Sequence, residues 1–454
     1  MIDNSRDALV DELCNVIRPQ MEYIPESVKS VYSYEEAVTG IDGDPYVNSI
    51  KRSTSPGYPF TQMKGFESKK KIYGDEAEYN LDSVQSKEIK RRVEEIINSA
   101  KQGTVLDHYF NDSLKDERKP IGKAHKTRLF AAGPLDYLIA CKMYFNGPVA
   151  LLQRNRNVSH VSVGTNPYSN DWDLMVKGLL RKSENMIAGD FEGFDASQHQ
   201  QLLEASGEVL IKLSERLLGA TEEDVKVMRV LLVSLFNSFH INVSEVYQAT
   251  HSLPSGHYLT AIINSLFVNI AFGCVFQLAN GMSYMNARKF WDDCGIVAYG
   301  DDHIVSVPSE YLPRFNQINM PELMSKLGLG YTMESKDGEA ETESRRIEEI
   351  SYLKRGFYYH KYLKRWMAPL SITTITEMPM WIHESVDPIE QTKLNVDQAL
   401  KELSLHQDDV WNEWYPKISE VAQFYLNHYT KFARKNETMY QVINEDYNDL
   451  FVNQ

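Results

Sequence analysis

From Leu259 to Met282 the chain runs 24 residues without a charged side chain. That length is enough to cross a bilayer, so the segment forces a choice between a membrane and the centre of a large core. Asn264, Ser265, Asn269 and Gln277 interrupt it. Polar groups of that kind are costly against lipid, and a helix buried inside a large protein is the expectation. The chain has 454 residues, long enough for about two or three compact units or one multi-lobed enzyme.

A hydrophobic content of 43% and a mean hydropathy of -0.41 suit a globular protein with a sizeable core. The net charge of -15 argues against a general polyanion binder, so any nucleic-acid surface has to be local. Cys14, Cys141, Cys274 and Cys294 show no CxxC spacing. Neither a zinc ribbon nor a disulfide scaffold is expected, and the setting reads as reducing and intracellular. The opening MIDNSRDALVDELC lacks the basic-then-apolar pattern of a signal peptide.

No internal repeat or low-complexity linker divides the chain. Helical patterns cover Ser86 to Lys101, Gln200 to Leu218 and Glu222 to Phe236. "NMIAGDF" reads as one short strand ending in acids, and "PELMSKLGLG" as a helix. "YLKRGFYYHKYLKRW" reads as two strands joined by a turn, and the last eighty or so residues as helices. Strands meeting at separate acidic clusters, with helices between them, indicate an α+β core.

Four constellations carry chemistry. The first is acidic. In "GIVAYGDDHIVSV" two apolar runs flank Gly300-Asp301-Asp302, which suits a hairpin tip. Asp190 ends an earlier strand, and Asp195 follows five residues later. If both strands share one sheet, Asp190 and Asp301 can share a pair of divalent cations; Mg²⁺ binds through a few carboxylates plus substrate phosphates. The alternative is a pair of exposed turns.

The second is basic: Lys115, Arg118, Lys119, Lys123, Lys126 and Arg128, against Asp116 and Glu117. Pro120 and Gly122 break any helix, so the arm is expected to be extended and to suit triphosphate or a template backbone. A solvated charge run is the alternative. The third is "SLPSGHYLTAIINS". Ser255 and Gly256 precede the long helix, where backbone N–H groups can face a phosphate. Thr260 and Asn264 lie four apart on one helical face, placed either to read a ribose hydroxyl or to satisfy a neighbour. The fourth is Lys336, a lysine in a loop after the strand-like "YTM", suited to donate a proton to a leaving phosphate or simply exposed.

In this order the pieces resemble the viral RNA-dependent RNA polymerases of the picornavirus-like group, over about Thr54 to Phe357. "YLKRGF" is reminiscent of insect-virus relatives such as dicistroviruses and iflaviruses. The resemblance implies a right-hand α+β fold, with an antiparallel palm sheet flanked by helices and a helical thumb. It implies fingers at 1–147 and 199–245, palm at 148–198 and 246–357, and thumb at 358–454. It implies Asp190, Asp301 and Asp302 as ligands of two Mg²⁺ ions, with Mn²⁺ able to substitute, and Lys336 as general acid. Lys126, Arg128, Asp195, Ser255, Thr260 and Asn264 would then meet the ribonucleoside triphosphate. Thr54, Ser55, Lys115, Gly256, Lys354 and Arg355 would meet template and nascent RNA.

The implied partners are RNA, ribonucleoside triphosphates, a small protein primer and other viral replication proteins. The implied location is the host cytoplasm at membrane-associated replication complexes, with no transmembrane segment in the chain itself. The arm is spaced differently from the picornavirus form, and the stretch before Thr54 is shorter than such polymerases usually have. The chain begins with Met where they carry a buried N-terminal glycine. Asp195 with Asn264 speaks against a DNA-making palm polymerase, since groups that require a 2′-hydroxyl are left unpaired by a deoxynucleotide. The complete acid set argues against a catalytically silent RNA-binding scaffold.

Overall fold

The structure is a computed structural model describing residues 1–117, 121–333 and 340–444, with the side chains of Lys123, Ala124 and Lys126 outside the description. The uncharged segment forms a helix, Thr260–Asn280, buried along most of its length. Each of its polar interruptions makes a hydrogen bond, with Asn269 Oδ1 left buried without a partner. Gln277 donates to the Met1 carbonyl and the Ser5 hydroxyl, and Asn269 donates to the carbonyls of Ser265 and His160. Buried amides that find such partners cost little; in lipid they would have none.

Three helices close around this one. The N-terminal helix Ile2–Ile17 turns Leu9, Leu13 and Ile17 inward at intervals of four. It lies against Gln200–Leu218, Thr260–Asn280 and Tyr284–Asp293. A Cβ at Gly273 would come within 2.9 Å of the Ser5 hydroxyl, so the crossing depends on the missing side chain. Gln200–Leu218 ends on Gly219 in the left-handed conformation, and Glu222–Phe236 opens with a capping box between Thr221 and Asp224. Both helices have the bounds their sequence pattern predicts.

In chain order the strands are β1 (Tyr109–Leu114), β2 (Leu129–Ala132), β3 (Met186–Ile187), β4 (Gly189–Glu192), β5 (Phe239–Asn242) and β6 (Glu245–Gln248). Then come β7 (Gly295–Tyr299), β8 (Asp302–Ser306), β9 (Gly330–Met333), β10 (Tyr358–His360) and β11 (Arg365–Met367). They form sheets ordered β2-β1-β5-β6, β3-β8-β7, β4-β9 and β10-β11. The β7–β8 hairpin is the centre of the molecule. Ile296 and its cross-strand partner Val305 enter the large core around the buried helix. Val297 and its partner Ile304 enter a second core with Trp172, Tyr352 and Phe357. The open edge of β7 is covered by His160–Ser162, which exchange backbone hydrogen bonds with Ala298. A further core joins the C-terminal helices Pro388–Leu403 and Asp408–Leu426 to Leu370 and Ile375.

Two expectations are corrected. "NMIAGDF" is two strands, because both backbone groups of Ala188 are taken by side chains. Its N–H donates to Gln317 Oε1 and its carbonyl accepts from Arg345. β3 therefore joins β8 while β4 leaves to pair with β9. The basic arm is not extended throughout. β1 and β2 pair antiparallel, Leu114 opposite Leu129, so the chain between them must reverse, and Ile121–Lys126 does so as a 3₁₀ turn.

Leu13→Ala removes a fully buried side chain from the contact between the N-terminal and central helices. It should cost roughly 2–5 kcal/mol in denaturant unfolding. A loss well below that range would show that the N-terminal helix stands outside the cooperative core.

Candidate active site

The site is built on the tip of the β7–β8 hairpin. Tyr299 pairs with Asp302, which leaves Gly300-Asp301 as a two-residue turn with Gly300 at φ 63°. The Gly300 N–H donates to the Ser265 hydroxyl at 2.8 Å, fastening the tip to the buried helix. Asp301 and Asp302 are exposed at this tip.

Asp190 arrives from the other side. β3 pairs antiparallel with β8, with Ile187 opposite Val305. Beyond the break at Ala188 the chain leaves that pairing as β4, which carries Asp190 and still packs against β8. β9 supports β4 from its far edge, with Thr332 opposite Asp190. The three carboxylates thus come from two sheets that pack together, Asp190 from the β4–β9 pair and Asp301 and Asp302 from the hairpin tip, and not from the one sheet that the sequence suggested. Their oxygens are the hard donors that divalent cations such as Mg²⁺ prefer. Among the described residues no three such side chains converge into a ready-made cage. Mg²⁺ is commonly held by one or two carboxylates with substrate phosphates completing the shell, and this donor set fits that mode.

Asp195 follows β4 in the short helical turn Phe194–Ser197. Asp195 is exposed at the surface, yet enough protein surrounds its carboxylate to cost it hydration. That crowding, together with the charge of Asp301, pushes its pKa up; Lys115 and Arg128 pull the other way. These two cations of the arm therefore lie within electrostatic reach of Asp195. The Lys115 N–H donates to the Arg128 carbonyl, and Arg128 pairs with Glu117 at 2.7 Å. The Lys126 side chain and Lys336 lie outside the described residues, as does Lys119.

The loop before the buried helix is stitched to the arm sheet. Ser255 Oγ donates to the Leu129 carbonyl at 3.0 Å. A Cβ at Gly256 would fall 2.1 Å from the Ala131 carbonyl oxygen, so the approach requires glycine. Thr260 donates back to Pro254 O at 2.7 Å, and Asn264 Oδ1 accepts from the buried Gln198 Nε2 at 2.6 Å. Thr260 and Asn264 are thus satisfied by neighbours, and Gln198, three residues past Asp195, joins Asn264 to the acidic turn.

The remaining candidates lie apart. Thr54 donates to the Lys51 carbonyl and accepts from Lys69 Nζ at 2.6 Å; burial lowers the Lys69 pKa to about 8. Ser55 Oγ accepts from the Gly57 N–H. Lys354 is exposed on a tight turn closed by Tyr352 and Arg355, with Leu353 and Lys354 at φ 53° and 61°. Arg355, expected on RNA, is held instead by the buried Glu402 at 2.9 Å and donates to the Ala368 carbonyl. It fastens this turn to helix Pro388–Leu403. Sequence reasoning missed Gln198 and His303 as site residues, and noted Ser265 only as a polar interruption; each acts across the fold, and local pattern carries no signal for that.

Comparison with known proteins agrees with this architecture. A family model described as viral RNA-dependent RNA polymerase matches residues 6–435. The replicase polyprotein of acute bee paralysis virus is 37% identical over 408 residues, covering 87% of this chain and 21% of that protein. That of Drosophila C virus is 34% identical over 394 residues, covering 84% and 22%. The chain therefore spans about a fifth of the length of the curated relatives it matches. The insect-virus resemblance of the sequence is met by these relatives. A solved sicinivirus 3Dpol RNA-dependent RNA polymerase has a TM-score of 0.73 at 17% identity, covering 96% of this chain and 85% of its own. The shared fold is the right-hand α+β polymerase fold. Members of the matched family generally use divalent metal ions.

Because its native-state pKa is raised, Asp195 gives up its proton less readily folded than unfolded. Its contribution to stability is full below its ordinary value of 3.8 and is lost as pH rises through the raised native value. Asp195→Asn should therefore raise the thermal midpoint at neutral pH and leave it unchanged below about pH 3.8. An equal shift at both pH values in a calorimetric pH series would contradict the raised pKa of Asp195.

Proposed function

Since the chain belongs to the viral RNA-dependent RNA polymerase family, we propose that it copies an RNA template from ribonucleoside triphosphates, replicating a positive-strand viral genome. The 3′-hydroxyl of the nascent strand attacks the α-phosphate of the paired nucleotide, and pyrophosphate leaves. The observation that carries this reading is the packing of β4, which bears Asp190, against β8, whose hairpin tip carries Asp301 and Asp302, with Asp301 and the arm cations Lys115 and Arg128 all acting on Asp195.

Asp190 and Asp301 are the principal cation ligands in this proposal, and Asp302 supports them. Two Mg²⁺ ions, or Mn²⁺ in their place, would supply an activated hydroxyl and charge neutralisation on the triphosphate. Lys126 and Arg128 neutralise the triphosphate from the arm, the Glu117 partner of Arg128 being exchanged for phosphate. Asp195, Thr260 and Asn264 recognise the ribose, with Gln198 holding Asn264. Ser255 and Gly256 set the loop beside template and nucleotide. Lys336 protonates the departing pyrophosphate. Thr54, Ser55 and Lys115 guide the template, Lys354 meets the nascent strand, and Arg355 holds the turn that presents Lys354.

The proposed division is fingers 1–147 and 199–245, palm 148–198 and 246–357, and thumb 358–454. The proposed setting is the host cytoplasm at membrane-associated replication complexes, with a small protein primer and other replication proteins as partners. The net charge of -15 is compatible with RNA binding if acids occupy the outside and cations the channel.

Extension of a primed homopolymer RNA with Mg²⁺ tests the reading. Asp301→Ala should abolish incorporation in a protein whose unfolding curve is unchanged, and full activity would remove Asp301 from the mechanism. Asn264→Ala should narrow the preference for ribo- over deoxynucleotides in kcat/KM. Unchanged selectivity would refute its role at the ribose.

A further inference from the structure

The residue after the paired aspartates is a histidine, and its two ring nitrogens face two different elements. His303 is 2% exposed. Its Nδ1 lies 2.7 Å from the Asp301 carbonyl oxygen, and its Nε2 lies 2.8 Å from the Tyr331 hydroxyl. A carbonyl oxygen only accepts, so Nδ1 carries the proton; Nε2 is then bare, and the Tyr331 hydroxyl donates to it. The ring plane is fixed by packing as well, with Phe272 at 4.8 Å and Phe191 at 5.3 Å between ring centroids.

Tyr331 carries the connection onward. It sits on β9, and β9 pairs with β4, the strand that bears Asp190. Its ring presses on the residue just before that aspartate: a Cβ at Gly189 would come within 2.2 Å of the Tyr331 ring. The path from the Asp301 backbone through His303 and Tyr331 to Gly189 therefore runs through two hydrogen bonds and one close contact, all inside the core.

From this geometry we propose that His303 and Tyr331 are a pair of positioning residues that fix the separation of the Asp301 tip from the Asp190 strand. The β7–β8 hairpin and the β4–β9 pair belong to different sheets. Backbone pairing alone leaves their relative placement to packing, and the His303–Tyr331 link sets it. The proposal rests on the reading of Asp190 and Asp301 as a cation site. Neither His303 nor Tyr331 is required to touch the cation or the substrate.

The test uses the full chain and Mn²⁺ alone, titrated by loss of its free-ion EPR signal, with thermal unfolding followed in parallel. Asp301→Ala is the reference for the site itself. His303→Leu removes both hydrogen bonds. Tyr331→Phe removes one and keeps the ring on Gly189. His303→Asn restores a donor within reach of the Asp301 carbonyl. His303→Leu should weaken Mn²⁺ binding by about 10–100-fold, the usual effect of losing a group that orients a ligand. Tyr331→Phe should weaken it less, and His303→Asn should recover much of what His303→Leu loses. In nucleotide extension the same variants should raise the metal concentration needed for half-maximal rate more than they lower kcat. If His303→Leu fails to fold, Tyr331→Phe decides. Wild-type Mn²⁺ binding and wild-type metal dependence in folded Tyr331→Phe and His303→Leu would overturn the proposal. Mn²⁺ binding unchanged in Asp301→Ala would instead overturn the cation-site reading on which it rests.

Discussion

The hydrogen bond from the Gly300 N–H to the Ser265 hydroxyl joins the buried helix Thr260–Asn280 to the acidic turn. Much else is arranged so that this bond can form. Ser265 also donates to the Ala261 carbonyl at 2.6 Å, so its hydroxyl is oriented as donor along the helix and acceptor toward the hairpin. An apolar residue at this position would leave a peptide N–H without its partner beneath the site, a loss of roughly 1–3 kcal/mol. It would also free the turn to move. A helix that is apolar on all sides has no face that selects its rotation. Here the rotation is set by polar atoms: Ser265 to the hairpin, Asn269 to His160 and Gln277 to the N-terminal helix.

Once the tip is fixed, its charge becomes the constraint. Burial, and after it the charge of Asp301, raises the pKa of Asp195, so negative charge stands close enough to Asp195 to disfavour its ionisation. Repulsion of this kind works against folding and favours whatever positive charge enters. The hairpin can carry it because both its faces are buried in separate cores, with Ile296 and Val305 on one side and Val297 and Ile304 on the other. Strands packed in this way do not rotate outward to separate their acids. Lys115 and Arg128 offset part of the rise at Asp195, and Arg128 is at the same time paired with Glu117 on the arm.

The parts of this arrangement legible in the sequence are those set by local pattern. Helices Gln200–Leu218 and Glu222–Phe236 follow from periodicity and caps, and the hairpin from two apolar runs around Gly-Asp-Asp. The break at Ala188 was not legible, because it is made by Gln317 and Arg345 from distant segments. The turn in the arm was hidden for a related reason. Charge density suggests an open chain, while the antiparallel pairing of β1 with β2 demands a reversal. Arg355 was expected on RNA through the family resemblance of "YLKRGF", in which it follows Lys354. Glu402, which claims it, lies 47 residues away.

The same distinction separates the acids from the residues that hold them. An aspartate at a strand end announces itself by its cost: charge beside apolar sequence needs an explanation. Ser265, Gln198 and His303 carry no such cost locally, since a hydroxyl, an amide and an imidazole are ordinary core residues when partnered. Their partners lie 35, 66 and 28 residues away. The chemistry of the site is therefore written in short motifs, while its geometry depends on pairs formed only when the helix, the hairpin and the β4–β9 strands come together. A substitution in one of those pairs leaves every motif intact in the sequence and still displaces the carboxylates.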